Sequence, residues 1–317
     1  MDLYAIGEVV IDFIPGQEKR SYIANAGGAP ANVAIAMSRN GFSAGVCCSV
    51  GEDDFGHFLM KTLKENGIRI LNPAYCTKAV TTMAFVSLDE NNDRSFTFAR
   101  KPGADMFIEP EFVREEDIRD SVIVHAGSCS LSAQPAREAT KRALMLGAGN
   151  GKMVSFDINY RNLMWNDDRD ACAAAVFEIL PFVDLLKISE EEAVMLGGEE
   201  KIPEVMDRQK IAVTVETLGS EGSLAYFAGK KIRVKGKKVH AADTTGAGDA
   251  FWGGFLSGLR LQGIERAGQL TEENVRRAMR YGSASGTICC QHMGAIDSLP
   301  TRREIEEALA EEGNEDA

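Results

Sequence analysis

Short apolar runs alternate along most of this chain with longer segments in which apolar residues recur at helical spacing. Residues 3–10 read as a first strand. Residues 30–41 read as a helix, with Pro30 in its first turn and Gly41 just past its end. Residues 45–50 form a short apolar strand. Residues 54–67 form a second helix, capped by Asp54 and stopped by Gly67. Further on, the pattern predicts strands at 122–126, 153–157, 184–188 and 211–216, and a hairpin at 224–234. It predicts helices at 132–146 (capped by Ser132), 168–180, 247–261, 272–288 and 302–310.

Two stretches interrupt the alternation. Residues 11–26 look irregular or extended. Residues 81–88 and 94–99 look like two strands around the polar cluster Asp89-Glu90-Asn91-Asn92-Asp93, a hairpin signal. We read both as a small β appendage on the main body. Alternating β and α units imply a doubly wound, mostly parallel sheet with helices on both faces. Ligands of such sheets bind at the carboxyl ends of the strands.

Composition narrows the function. Apolar residues make up 44% of the 317, enough for a substantial core, so residues 1–317 read as a single domain with an acidic tail at 311–317. The net charge of −12 argues against nucleic acid or an anionic membrane as partner. The seven cysteines include the neighbours Cys47-Cys48 and Cys289-Cys290, without zinc-ligand spacing, and read as reduced, buried thiols. Asp2 and Glu8 break up the opening segment, and no apolar run approaches the ~20 residues of a membrane span, so a cytoplasmic location is expected. His57, His125, His240 and His292 form no ligand pattern, and Trp165 and Trp252 read as packing residues.

The sharpest local feature is Asp243-Thr244-Thr245-Gly246-Ala247-Gly248-Asp249, a small, glycine-rich turn running straight into a helix. Such a turn presents backbone N–H groups to an anion at a helix N-terminus. Asp249 would repel that anion. Either it favours the positive end of the helix dipole, or it accepts the proton of an attacking hydroxyl. A second segment, Gly27-Gly28-Ala29-Pro30-Ala31-Asn32, precedes the first helix. It is either a plain turn or a place where backbone and Asn32 meet a hydroxyl-bearing ligand. Asp12, past the first strand, is a turn residue or an acceptor for two sugar hydroxyls. No G-x-x-x-x-G-K-[ST], no dinucleotide fingerprint and no H-E-x-x-H is present.

Together these segments resemble the ribokinase-like (PfkB) carbohydrate kinase family over nearly the whole chain. The 27–32 and 243–249 segments are similar to its two signatures, and Val50-Gly51-Glu52-Asp53-Asp54-Phe55-Gly56 and Thr217-Leu218-Gly219-Ser220-Glu221-Gly222 to two weaker blocks. Within the family the resemblance is to fructokinases. It rests on Gly-Gly-Ala-Pro-Ala-Asn, on the Ala104-Asp105-Met106 that ends the 98–106 segment, on Asp157-Ile158-Asn159-Tyr160-Arg161, and on Lys187-Ile188-Ser189-Glu190-Glu191-Glu192.

The resemblance implies a ribokinase-like fold with a β-sheet lid from about 11–26 and 74–108. It implies an ATP-dependent kinase that phosphorylates a ketohexose, D-fructose to fructose 6-phosphate. Asp249 would be the base, and Gly246, Ala247 and Gly248 the anion hole. Asp12, Gly27, Gly28, Asn32, Arg100 and Arg161 would hold the sugar, and Thr217, Gly219 and Gly222 the ATP. Glu192 would serve Mg²⁺, with Ser189 where the family's motif has Asn. Asp243, Thr245, Gly294 and Ser298 would hold a monovalent cation, K⁺. The lid could join two copies in a homodimer. The rivals are a kinase for an acidic sugar such as 2-keto-3-deoxygluconate, whose carboxylate Arg100, Lys101 and Arg161 could pair, and a non-catalytic sugar sensor on the same fold.

Overall fold

A computed structural model describes residues 1–16, 18, 20–88 and 94–315. The hairpin cluster 89–93 and the last two residues of the acidic tail lie outside the described residues.

In chain order the elements begin with β1 (Leu3–Ile6), β2 (Val10–Pro15), β3 (Tyr22–Gly27) and α1 (Ala29–Arg39). Next come β4 (Ala44–Cys47), β5 (Val50–Gly51), α2 (Asp54–Glu65), β6 (Arg69–Ile70), β7 (Tyr75–Cys76), β8 (Met83–Leu88) and β9 (Arg94–Ala99). The second half holds α3 (Glu115–Arg119), β10 (Ile123–Gly127), α4 (Ala136–Gly149), β11 (Met153–Asp157), α5 (Arg169–Ile179), β12 (Leu185–Ser189), α6 (Glu190–Met195) and α7 (Ile202–Gln209). It ends with β13 (Val213–Thr217), β14 (Gly222–Phe227), β15 (Lys230–Lys235), α8 (Ala247–Leu261), α9 (Glu272–Cys290) and α10 (Arg302–Glu315).

The main sheet has nine strands in the order β15-β14-β13-β12-β11-β10-β1-β4-β6. From β6 to β13 every neighbouring pair is parallel, and β14 and β15 close that edge as an antiparallel hairpin. Side chains alternate across the sheet. Leu3 and Ala5 pack with α1, α2, α8 and α9, whereas Tyr4 and Ile6 pack with α3, α4, α5 and α7. Each large side chain so buried is worth about 1.5–3 kcal/mol. The doubly wound reading holds. The chain builds outward from β1 through β4 to β6, then returns to β10 on the other side of β1. That reversal opens a crevice at the carboxyl ends of β1 and β10.

A separate four-stranded sheet, β3-β2-β8-β9, stands over this crevice, in agreement with the expected appendage. Its β2 and β3 are a regular antiparallel pair, so within residues 11–26 these strands take the extended alternative. Phe13 anchors it, stacking on Phe85 at 4.7 Å and meeting Phe55 of α2 edge-on at 5.4 Å. A two-stranded ladder, β5-β7, lies apart.

Several boundaries differ from expectation, each for a local reason. The predicted strand at 3–10 breaks at Gly7 (φ 149°), where the chain leaves the main sheet for the small one. The cap of α2 is Asp53, not Asp54. Asp53 accepts from Gly56 N at 2.8 Å while also taking the Thr81 N–H and hydroxyl. Ser132 does not cap α4: it closes a 3₁₀ turn onto Cys129 O at 2.6 Å, and α4 starts at Ala136. Helices α3, α6 and α7 are additional, and α10 runs on into the acidic tail to Glu315. All seven cysteines are unpaired, six of them buried. No described helix is long and apolar enough to cross a membrane.

Candidate active site

Two helices begin side by side in the crevice, each preceded by a glycine with positive φ: Gly28 (117°) before α1 and Gly246 (78°) before α8. A Cβ at Gly28 would lie 2.3 Å from Glu8 O, and one at Gly246 would lie 3.0 Å from Ala295, so both turns need the missing side chain. Asn32, in the first turn of α1, donates its Nδ2 to Asp249 Oδ2, in the first turn of α8, at 2.8 Å. Both are buried. The Asn32 Oδ1 has no partner. The first-turn N–H groups of α8 have no acceptor one turn back within the helix. The Ala247 N–H is partly committed, to Thr244 O at 3.2 Å, and the Ala250 N–H donates to Gly246 O at 2.8 Å.

These groups line a cavity of about 460 Å³ with Glu8, Asp12, Gly28, Arg161, Lys187 and Gly248. Three of its carboxyls are held above the usual range. Burial pushes Asp249 up to about 6, against the pull of the Asn32 hydrogen bond, Lys187 and Arg161. Burial likewise pushes Asp12 up to about 6, with Arg161 opposing and Asp249 and Asp243 adding to it. Burial takes Glu8 to about 7; one of its oxygens accepts from Ala29 N at 3.2 Å, and Oε2 has no partner. Gly27 makes room for this arrangement, since a Cβ there would strike Asp12 Oδ2. Arg161 stands exposed at the mouth, its Nη1 donating to Tyr160 O at 3.2 Å.

Arg100 is not brought to this cavity. Its guanidinium grips Asp105, with Nη2 2.7 Å and Nε 2.8 Å from Oδ2, and reaches Ser132 Oγ at 3.1 Å. Asp105 also takes the Thr82 hydroxyl. Arg100 and Lys101 instead line a separate outer cavity with Ser132 and Leu163.

Beneath the glycine loop lies a buried ionic cluster. Lys187 Nζ is 2.8 Å from Asp157 Oδ2, and a Cβ built on Gly248 would sit 3.4 Å from that ammonium. Burial disfavours the charge on Lys187, but Asp157 and Glu192 more than offset it and keep it protonated. The carboxylate of Glu192 accepts two backbone N–H groups, Tyr160 N at 2.6 Å and Ser189 N at 2.8 Å, as part of the capping box that starts α6. Asp157 Oδ1 is buried and unpartnered.

A second cavity, about 310 Å³, lies on the other side of the loop. Thr217, Gly219 and Gly222 line it, as do Val239, Ala247, Phe251 and Gly286. Thr244 and Gly248 belong to both cavities, so the two meet at the start of α8.

Asp243 organises the approach to that loop. Its Oδ1 accepts from Thr245 N (2.9 Å) and Thr245 Oγ1 (2.7 Å), and its Oδ2 accepts from Gly294 N at 3.1 Å. Ser298 adjoins through Cys289, its hydroxyl donating to Ala295 O at 3.1 Å. Among the described residues no three His, Cys, Asp or Glu side chains form a metal-holding group.

Glu8, Lys187 and Asp157 were absent from the site residues drawn from the sequence. A lysine inside the apolar run Leu185–Ser189 was the available signal, because a strand buried on both faces excludes an unpaired charge. Glu8 carried a weaker one, an acid between two apolar strand segments.

The model of the pfkB family of carbohydrate kinases matches residues 2–302. A probable fructokinase-5 of Arabidopsis thaliana is 34% identical over 319 residues, covering 97% of each chain. Fructokinase-2 of Oryza sativa subsp. japonica is 33% identical, covering 98% of this chain and 94% of its own. Among solved structures, Xylella fastidiosa fructokinase with bound ATP superposes with a TM-score of 0.91 at 28% identity, covering 98% of this chain and 99% of its own. Vibrio cholerae O395 fructokinase with fructose, ADP and calcium ion does so at 0.85 and 30%, with the same coverage.

Proposed function

The chain belongs to the pfkB family of carbohydrate kinases, and we propose that it transfers the γ-phosphoryl group of ATP to D-fructose, giving fructose 6-phosphate. The observation that carries this reading is the meeting of two cavities at Thr244 and Gly248, with Asp249 facing the acid-lined one. Fructose lies in that cavity. Its hydroxyls donate to Asp12 and Glu8 and meet the open Asn32 Oδ1. The nucleotide lies in the other, along Thr217, Gly219 and Gly222, with its γ-phosphate at the loop.

Asn32 occupies Asp249 Oδ2, which leaves Oδ1 for the attacking hydroxyl. As the sugar oxygen bonds to the γ-phosphorus, its proton passes to Asp249. The bond from phosphorus to the bridging oxygen breaks, and ADP leaves. The amides of the Gly246-Ala247-Gly248 turn and the Lys187 ammonium bear on the charge of the moving group. Mg²⁺, when bound, would neutralise phosphate charge. Asp157 Oδ1, buried without a partner beside Glu192, fits such a cation held largely through water and phosphate. Glu192 acts by fixing the 159–161 turn and the start of α6. Asp243, with Thr245, Gly294 and Ser298, shapes the loop and would be the place for K⁺. Arg161 would close over the sugar from the mouth. Arg100 braces the edge of the small sheet through Asp105.

The small sheet then acts as a lid that excludes water, so that ATP is not spent on hydrolysis. Tyr22 and Ile23, exposed on β3, offer it a face for a second copy.

Three carboxyls around the sugar, against the exposed Arg161 and a Lys187 already paired, favour a neutral sugar over an acidic one. The test is ADP formation with fructose, other hexoses, pentoses and 2-keto-3-deoxygluconate, each with and without K⁺. Fructose should give the highest kcat/KM. A higher value with the sugar acid overturns the assignment, and the absence of ADP formation with every sugar overturns kinase activity.

A further inference from the structure

The groove between β15 and α9 gathers cations on a chain whose net charge is −12. Arg233, Lys235 and Lys237 reach it from the strand and the segment after it, and Arg276 and Arg280 from the helix. Among the described residues, Glu272 is the acid paired there. It holds Arg276 at 3.1 Å and is shared with Lys230 at 2.8 Å. Among the described residues no ion pair joins Arg233, Lys235, Lys237 or Arg280 to an acid. Like charges crowded round a concavity repel one another, and low-dielectric walls focus their field into it. Ser283 and Thr287 add hydroxyl donors to the lining. The space, about 240 Å³, suits a phosphate or a short chain of phosphates.

This groove is continuous with the nucleotide cavity. Lys237, Ser283 and Thr287 line both, whereas the wall shared with the sugar cavity is Thr244 and Gly248. We propose that the β15–α9 groove is a second anion site, which takes a phosphate-bearing small molecule and, when filled, weakens nucleotide binding next door. An anion there neutralises Lys237 and sets negative charge against the nucleotide. By linkage, bound nucleotide weakens the anion by the same factor. The coupling rests on the nucleotide reading above; anion binding does not.

The test uses the full chain and tripolyphosphate, with inorganic phosphate as a parallel arm, followed by titration calorimetry. The double variant Lys235→Glu/Arg280→Glu reverses two charges at residues that line neither the sugar nor the nucleotide cavity. The parent should bind tripolyphosphate, more weakly as salt rises, and the double variant at least ~10-fold more weakly. The variant's kcat and fructose KM should be unchanged. Lys235→Gln/Arg280→Gln should fall between and guards against misfolding of the reversed form. Tripolyphosphate should also raise the parent's KM for ATP and leave the variant's unmoved. Tighter binding of tripolyphosphate than of inorganic phosphate supports an oligophosphate occupant; equal binding supports a single phosphate. Equal tripolyphosphate affinity in parent and variant overturns the site. Binding without any change in ATP KM overturns the coupling and leaves fructokinase activity untouched.

Discussion

On the proposed reading, the two cavities that meet at Thr244 and Gly248 would recognise their ligands, a sugar and a nucleotide, by opposite means. The sugar side is lined by charged and amide side chains, Glu8, Asp12, Asn32 and Asp249, several of them buried. The nucleotide side is lined by glycines and small residues, Gly219, Gly222, Gly236 and Gly286 among them. A sugar is a set of hydroxyl donors at fixed angles, so acceptors must be held in place before it arrives. A nucleotide brings its own charge and a flat ring, so room and main-chain contact suffice. The difference also divides the energetics. Carboxyls that burial drives up to about 6 and about 7 burden the folded state once ionised, while glycines burden it only through backbone freedom.

The comparison is broken most severely at Asp249. Asp249→Ala should lower kcat by ~10²–10⁴, the range for losing a general base, while ADP affinity by calorimetry stays within twofold. Turnover near the parental value would remove the chemistry from the sugar side altogether. The pH profile carries the same claim. A carboxyl must be ionised to accept a proton, and burial pushes Asp249 up to about 6. Parental kcat/KM should therefore rise with pH through about 6 and level off above. A rising limb centred near 4 would mean that burial does not act on this group.

Glu8 sharpens the comparison through stability. Its ordinary value is 4.5 and the fold raises it to about 7. Below 4.5 the carboxyl is protonated in both states and exacts nothing. Between 4.5 and 7 the unfolded chain ionises first, so stability falls as pH rises. Above 7 the loss is constant, about 3 kcal/mol as an upper bound from ~1.4 kcal/mol per pKa unit. Glu8→Gln keeps the shape and removes this dependence. Denaturant titrations should find the variant more stable than the parent at pH 8 and equal to it at pH 4, with fructose KM raised. A variant less stable at pH 8 would show that Glu8 serves the fold and not the sugar.

The same division explains what could be read from the chain. Both glycine turns were visible because positive φ before a helix leaves its mark in the sequence as Gly28 and Gly246. Asn32 and Asp249 were visible because each lies within a turn of such a glycine. The small sheet showed itself as a break in the alternation. Arg100 stands outside the acid-lined cavity because it pairs with Asp105, across a bend that no periodicity reports. The Asp157–Lys187 pair joins positions thirty residues apart on neighbouring strands, a registry that exists only once the sheet forms. Within the run Glu52-Asp53-Asp54, the cap fell to Asp53 because Thr81, from a distant segment, bonds to it. Features written in backbone conformation were legible; pairings made by tertiary contact were not.

The smallest effects test the nucleotide side. Gly219 has φ 54° and nothing within 4 Å of a built Cβ, so Gly219→Ala meets only the dihedral penalty, about 1 kcal/mol. Gly222 has φ 100°, and its Cβ would fall 2.1 Å from Val234 O, so Gly222→Ala must displace the β14–β15 hairpin. If main-chain room is what the nucleotide reads, Gly219→Ala should raise the KM for ATP no more than ~5-fold, an amount the dihedral penalty alone accounts for. Gly222→Ala should raise it further. In both, fructose KM should remain parental, since neither residue lines the sugar cavity. A matching rise in fructose KM would mean that the shared wall at Thr244 and Gly248 transmits strain from one cavity to the other, and that the two sides work as one site.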